Sequence, residues 1–140
     1  MPPKLSLRFS TKKAHETQLK LSKKVIQEDL LPKTIKYVAG VDIAHLEKIS
    51  IGAVAVLDFN SLFPLEAKTA QFRTRFPYVP TLLSFRELPP ALLAMRKLRI
   101  KPEVFMVDGQ GIAHPYRLGF ASHLGLVGDV PTIGVAKSLL

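Results

Sequence analysis

From Ser10, a side chain suited to capping a helix N-terminus, apolar residues recur at helical spacing. Ala14, Leu21 and Val25, with Leu19, Ile26 and Leu30, predict one basic amphipathic helix that Pro32 ends. The period then changes. Ile35 to His45 is an apolar, β-branched run around Gly40, and it predicts a strand buried on both faces with Asp42 inside it. Ser50 to Leu57 is again small and β-branched and ends on the turn formers Asp58, Asn60 and Ser61, as an antiparallel return would. Leu65 to Phe76 alternates, with Ala70, Phe72 and Phe76 on one face and Gln71, Arg73 and Arg75 on the other, predicting a half-solvated third strand. Pro77 and Pro80 bracket Tyr78 and stop the sheet in a stiff, exposed loop, because proline lacks an amide donor and restricts its predecessor. Helical spacing resumes at Leu82 and runs through Leu92, Leu93, Met95 and Leu98, predicting a helix broken at Pro89 and Pro90. Glu103 to Asp108 reads as a fourth, fully apolar strand, ending in Gly109-Gln110-Gly111. A loop, a helix from about Tyr116 to Val127 and a short fifth strand, Thr132 to Ala136, complete the pattern.

Three meandering strands followed by helix, strand, helix and strand describe an α/β fold, a mixed sheet with helices on its faces in the order of a ribonuclease H-like architecture. No repeat, low-complexity tract or linker composition divides the chain, so residues 1–140 read as a single domain. With 47% hydrophobic residues it has enough apolar material for a sizeable core. Neither a membrane-length apolar run nor a secretory signal is visible, so no membrane partner and a cytoplasmic location are expected. The absence of cysteine excludes disulfides, thiolate metal sites and cysteine nucleophiles. The formal charge of +9 favours polyanions, nucleic acid first, and basic residues crowd the stretches Lys4 to Lys36 and Arg96 to Lys101. A solvated basic surface accounts for the charge equally well.

The placement of the acids is more informative. Asp42 interrupts one apolar strand and Asp108 closes another, where a carboxylate costs several kcal/mol unless paired or metal-bound. If the two strands are neighbours, both carboxylates point at one spot. Convergent carboxylates suit a hard cation such as Mg2+, with Mn2+ as substitute, and such a site can hydrolyse a phosphodiester. The plainer alternative is that each aspartate forms a turn or caps a helix. Glu87 is a candidate third carboxylate, or else a partner of Arg86 or a neighbour. Tyr78, rigid between prolines, either wedges into a base stack or covers the edge of the core. Gly109 and Gly111 let the backbone pass close to a ligand, although Gly-x-Gly is common at strand-to-helix turns. His114 reads as a phosphate or metal neighbour or as a structural residue before Pro115, and Lys137 as a phosphate partner or a solvated lysine. His15, His45 and His123 lack metal-ligand spacing and receive no role. No Walker loop or nucleophile elbow is present.

Four blocks, in order and spacing, resemble the endonuclease V family: Val38-Ala39-Gly40-Val41-Asp42; Pro77-Tyr78-Val79-Pro80 with Ser84-Phe85-Arg86-Glu87-Leu88-Pro89; Val107-Asp108-Gly109-Gln110-Gly111-Ile112-Ala113-His114-Pro115; and Pro131-Thr132-Ile133-Gly134-Val135-Ala136-Lys137-Ser138. The resemblance covers essentially the whole chain. It implies a Mg2+-dependent repair endonuclease that cuts the second phosphodiester bond 3′ to deoxyinosine in DNA, with inosine in RNA as a further substrate. It also implies Asp42, Glu87 and Asp108 as metal-centred acids, Lys137 near the reacting phosphate and Tyr78 in a strand-separating wedge. Leu83, Gly109 and Gly111 would lie near the hypoxanthine, with His114 in the same loop. Two departures stand out. His45 occupies the place of an expected tyrosine and Gln110 that of a frequent histidine, while the family pattern continues well past Leu140. Ser138 would cap a helix that does not follow, so a truncated or split form is expected, self-associating through an uncovered face of the sheet. The alternatives are a non-catalytic nucleic-acid-binding fragment of this fold and a general ribonuclease H-like nuclease that does not read hypoxanthine.

Overall fold

The computed structural model describes residues 10–74 and 79–138. Helix α1 spans Thr11–Ser22, strands β1 Tyr37–Leu46, β2 Ile49–Asp58 and β3 Pro64–Arg73 follow, and a 3-10 turn, Pro80–Leu82, leads into α2 Leu83–Met95. Strand β4 Val104–Asp108, helix α3 Phe120–Gly128 and strand β5 Thr132–Val135 complete the order. The five strands form one sheet in the order β3-β2-β1-β4-β5. The first three are antiparallel, whereas β4 runs parallel to β1 and β5 parallel to β4. This is the ribonuclease H-like arrangement expected from the element order.

Alternation along the strands decides what each face of the sheet carries. Ala39 and Val41 of β1, Val54 and Val56 of β2, and Phe105 and Val107 of β4 pack with Ala91 and Ala94 of α2 and with Phe120, Ala121 and Leu124 of α3. The opposite face holds Gly40, Asp42 and Met106, all exposed, beside Ile133 and Val135, which are 46% and 52% exposed. Around Gly40 and Asp42, β1 is therefore buried on one face only, a correction to the two-sided burial that its apolar run suggests, while β4 is buried on both faces only at its start, Val104 and Phe105.

Local signals also set some boundaries differently from expectation. Helix α1 starts as expected, with Ser10 Oγ accepting from Lys13 N at 3.2 Å, but it ends ten residues before Pro32. Ile26 and Leu30 are 68% and 67% exposed, so their periodicity lacks the packing that sustains a helix. Strand β3 stops at Arg73; the expected positions of Arg75, Phe76, Pro77 and Tyr78 lie outside the described residues.

Helix α2 is continuous through Pro89 and Pro90, against the expected break, although an interior proline costs about 3 kcal/mol. Tertiary packing offsets that cost: Pro90 is fully buried, and the helix backbone lies directly on β2. A Cβ at Gly52 would come within 2.2 Å of the Pro90 carbonyl oxygen, so only glycine permits the approach. Helix α3 begins at Phe120 rather than near Tyr116, because the preceding loop is tied down by Gly119 N to Gly111 O and Ala121 N to Gln110 O, both 2.9 Å.

Candidate active site at the strand ends

The parallel register of β1 and β4 sets Val41 beside Val107, which brings the next residues side by side: Asp108 at the carboxyl end of β4 and Asp42 in the middle of β1, where its pairing with β4 stops. Their side chains share a hydrogen bond. Asp42 Oδ1 also accepts from Ile43 N at 2.8 Å, which orients that carboxylate. The Asp108 carboxyl is raised above the usual carboxylate range by desolvation, then by the Asp42 charge and their shared bond, with Lys137 opposing. Lys137, exposed just beyond β5, is thus close enough to act on Asp108 electrostatically.

Glu87 comes from α2, on the covered side of the sheet. Burial pushes its carboxyl up to about 7, and the negative charges of Asp108 and Asp42 add to that rise while Arg86 opposes it. Among the described residues, no three His, Asp or Glu side chains are gathered closely enough to hold a metal ion. The strands therefore bring Asp42 and Asp108 into contact, and Glu87 stands within electrostatic range of both.

A small cavity of about 30 Å³ adjoins these acids, lined by Leu83, Ser84 and Glu87 of α2 and by Gly109, Gln110, His114 and Phe120. Gly111 lies just behind this lining, its carbonyl accepting from Gly119 N. The loop is pressed against β5: a Cβ at Gly134 would meet Gly109 O at 2.6 Å and Gly111 N at 2.7 Å. A larger open hollow of about 410 Å³, lined by Lys48, Ile49, Gln71, Phe72 and Arg73, contains no acid and is not the centre of this chemistry.

His114 ties the loop to the 3-10 turn. Its Nδ1 accepts from Tyr116 N at 3.0 Å, which leaves the hydrogen on Nε2 to be donated to Thr81 O at 2.9 Å. Burial holds its pKa below the ordinary histidine value, the Thr81 bond opposes this, and His15 adds to the lowering. Thr81 also anchors α1, through Gln18 Nε2 to its carbonyl at 2.7 Å and His15 Nε2 to Oγ1 at 2.9 Å; His15 stacks on Tyr116 at 3.9 Å.

Three groups near the site carried no spacing signal in the sequence. Ser84 Oγ lies 2.9 Å from Nδ1 of the buried His123, whose pKa burial lowers to about 4. His45 Nε2 lies 3.7 Å from Glu87 Oε2, and its Nδ1 is 2.8 Å from Ser50 Oγ. Burial and the Arg86 charge lower the His45 pKa, so its contact with Glu87 joins a neutral imidazole to a carboxyl rather than forming an ion pair. His45 and Glu87, like Ser84 and His123, are distant in the chain, and only strand pairing and helix docking bring them together.

Comparison with known proteins follows the same geometry. The endonuclease V family model matches residues 19–140. The endonuclease V of Thermofilum pendens is 44% identical over 132 residues, which are 94% of this chain and 57% of that protein. The crystal structure of the Streptomyces avermitilis endonuclease V superposes with a TM-score of 0.86 at 40% identity, covering 92% of this chain and 58% of the other. That of the Ciona intestinalis enzyme, in complex with a 24mer DNA containing an inosine followed by a ribo-adenosine, gives 0.84 at 31% identity, with the same two coverages. This chain thus spans somewhat under three fifths of the length of these relatives. Since the match runs through both paired aspartates and nearly all of the fold, the chain belongs to the endonuclease V family.

Proposed function

We propose that this chain carries the acidic centre of a divalent-metal-dependent DNA-repair endonuclease, which hydrolyses the second phosphodiester bond 3′ to deoxyinosine and takes inosine in RNA as a further substrate. The contact between Asp42 and Asp108 on adjacent parallel strands, with Glu87 in electrostatic range, carries this reading. All the donors are carboxylate oxygens; desolvation raises Asp108 and Glu87, and the neighbouring negative charges add to the rise. Such a donor set is short of positive charge and suits Mg2+ or Mn2+. Bound there, the cation would supply Lewis acidity to water and to the phosphate ester.

The remaining roles follow from the chain's own groups. Asp42 and Asp108 hold the cation, Glu87 completes its acidic surroundings from α2, and Lys137 neutralises a phosphate oxygen beside Asp108. The cavity between Leu83, Gly109 and His114, with Gly111 behind it, receives the hypoxanthine. At about 30 Å³ it has room for about one water, so a purine enters only if the loop or α2 moves. Tyr78, outside the described residues, would provide the wedge. The net charge of +9 supplies the electrostatic attraction to the nucleic-acid backbone. Residues 1–140 would act as one unit in the cytoplasm; among the described residues no helix is long and apolar enough to cross a membrane. Met106, Ile133 and Val135 would support self-association through the open face of the sheet.

The test is to incubate the protein with end-labelled strands carrying one inosine, and with matched inosine-free strands, with and without Mg2+. A magnesium-dependent nick at the second bond 3′ to inosine is expected. Equal cutting of both strands would select a general ribonuclease H-like nuclease. Binding without nicking would select a non-catalytic binding fragment.

A further inference from the structure

The contact between His45 and Glu87 continues away from the acidic centre through a short polar chain. His45 pairs with Ser50 across β1 and β2, and its Nδ1 lies 2.8 Å from Ser50 Oγ. Ser50 is fully buried and its Oγ is 2.6 Å from Thr74 Oγ1, just past the end of β3. The Thr74 backbone is itself held by its N–H to Lys48 O at 2.8 Å. A hydroxyl carries one hydrogen, so the chain has two self-consistent directions. In one, Nδ1–H donates to Ser50 and Ser50 to Thr74, which turns the bare Nε2 lone pair toward Glu87. In the other, Thr74 donates to Ser50 and Ser50 to Nδ1, which places the ring hydrogen on Nε2, facing Glu87. Beside an ionised carboxylate the first direction sets lone pair against negative charge, and the second sets an N–H dipole toward it.

We infer that His45 is a positioning residue: Ser50 and Thr74 hold its ring at Nδ1, the Glu87 charge selects the Nε2–H tautomer, and that N–H aims the Glu87 carboxylate at the cation site. The inference rests on the reading of Glu87 as a metal-site carboxylate. The 3.7 Å separation is longer than a formed hydrogen bond, so the N–H would act on Glu87 fully only after a small approach of the two side chains. Groups behind a metal ligand commonly govern affinity by 10- to 100-fold. The sequence gives no hint of this, because a histidine three residues beyond Asp42 points to the opposite face of β1 and has no ligand spacing.

The experiment uses the full chain and two readouts. Nitrogen-15 NMR of the histidine-labelled protein with Mg2+ at about pH 8 should show His45 as the Nε2–H tautomer, and the Nδ1–H form would overturn the inference. Calorimetric titration with Mn2+ alone should show affinity falling about tenfold in His45→Phe. It should stay within about threefold of the parent in His45→Gln, whose amide N–H reaches the same place, and fall about threefold in Ser50→Ala. If His45→Phe does not fold, the Gln and Ser50→Ala variants and the tautomer still decide. Parent-like Mn2+ affinity in His45→Phe, with a loss in Glu87→Gln, would sink the positioning role and leave the acidic centre standing. Parent-like affinity in Glu87→Gln would remove the metal-site reading of Glu87, and this inference with it.

Discussion

The two faces of the sheet are built from alternate residues of the same strands, yet different physics shapes them. On the covered face, Val54, Val56, Phe105 and Val107 meet α2 and α3, and the backbone contact of Gly52 with Pro90 leaves no slack. On the open face, the Asp42 charge disfavours ionisation of the neighbouring Asp108 while Met106, Ile133 and Val135 face solvent. Packing fixes the first face, and through the shared strands it also fixes the two carboxyls beside each other on the second. The closeness of the acidic pair is thus sustained by burial on the other side of the same two strands.

The largest expected effect breaks the open face alone. Asp42→Ala or Asp108→Ala should reduce Mg2+-dependent nicking of inosine strands about a thousandfold, on the order of 4 kcal/mol. Their thermal melts should stay close to the parent's, since neither side chain is part of the core. A variant that still cuts normally would detach the acids from the chemistry. Breaking the covered face has the converse signature. Leu124 is fully buried, so Leu124→Ala should lower unfolding free energy by about 2–5 kcal/mol in denaturant titration.

Acid sharpens the contrast, because the groups shift in opposite senses. The His123 pKa is depressed to about 4, so the unfolded chain takes up a proton that the folded one refuses; this destabilises the fold as pH falls from about 6.5 to 4, by roughly 3 kcal/mol. Glu87 is raised to about 7, so in metal-free protein the folded state binds the extra proton, and acidification from about 7 to 4.5 stabilises it. The two slopes overlap and oppose each other in the parent. Urea titrations across this range should show stability falling with acid in Glu87→Gln and rising with acid in His123→Gln. Identical profiles in both variants would remove the assignment. The smallest effect belongs to the solvent-facing strip: Ile133→Lys should alter stability by no more than about 0.5 kcal/mol while shifting sedimentation toward monomer. An unchanged sedimentation profile from an associating parent would rule that strip out as the contact.

The order of elements was legible in the residues because alternation and helical spacing are local properties, and so was the suspicion that Asp42 and Asp108 belong together, since charges at the ends of apolar strands demand a reason. The family resemblance was legible for the same reason, being carried by contiguous blocks. Boundaries were less so. Ile26 and Leu30 keep helical spacing without a surface to bury, while Pro89 and Pro90 sit inside an unbroken helix because the sheet beneath accepts its backbone at Gly52.

By itself, then, the sequence determined the alternation that separates an apolar face from a polar one and the chemical types available to a site: carboxylates, lysine and histidine without thiols. Only the tertiary structure decided which of them meet. The parallel register set Asp42 against Asp108, and the hairpin register set His45 on Ser50, with Glu87 approaching from a helix on the other side. Distance along a chain carries no information about such meetings; strand pairing and helix docking do, because they are settled by burial summed over the whole molecule.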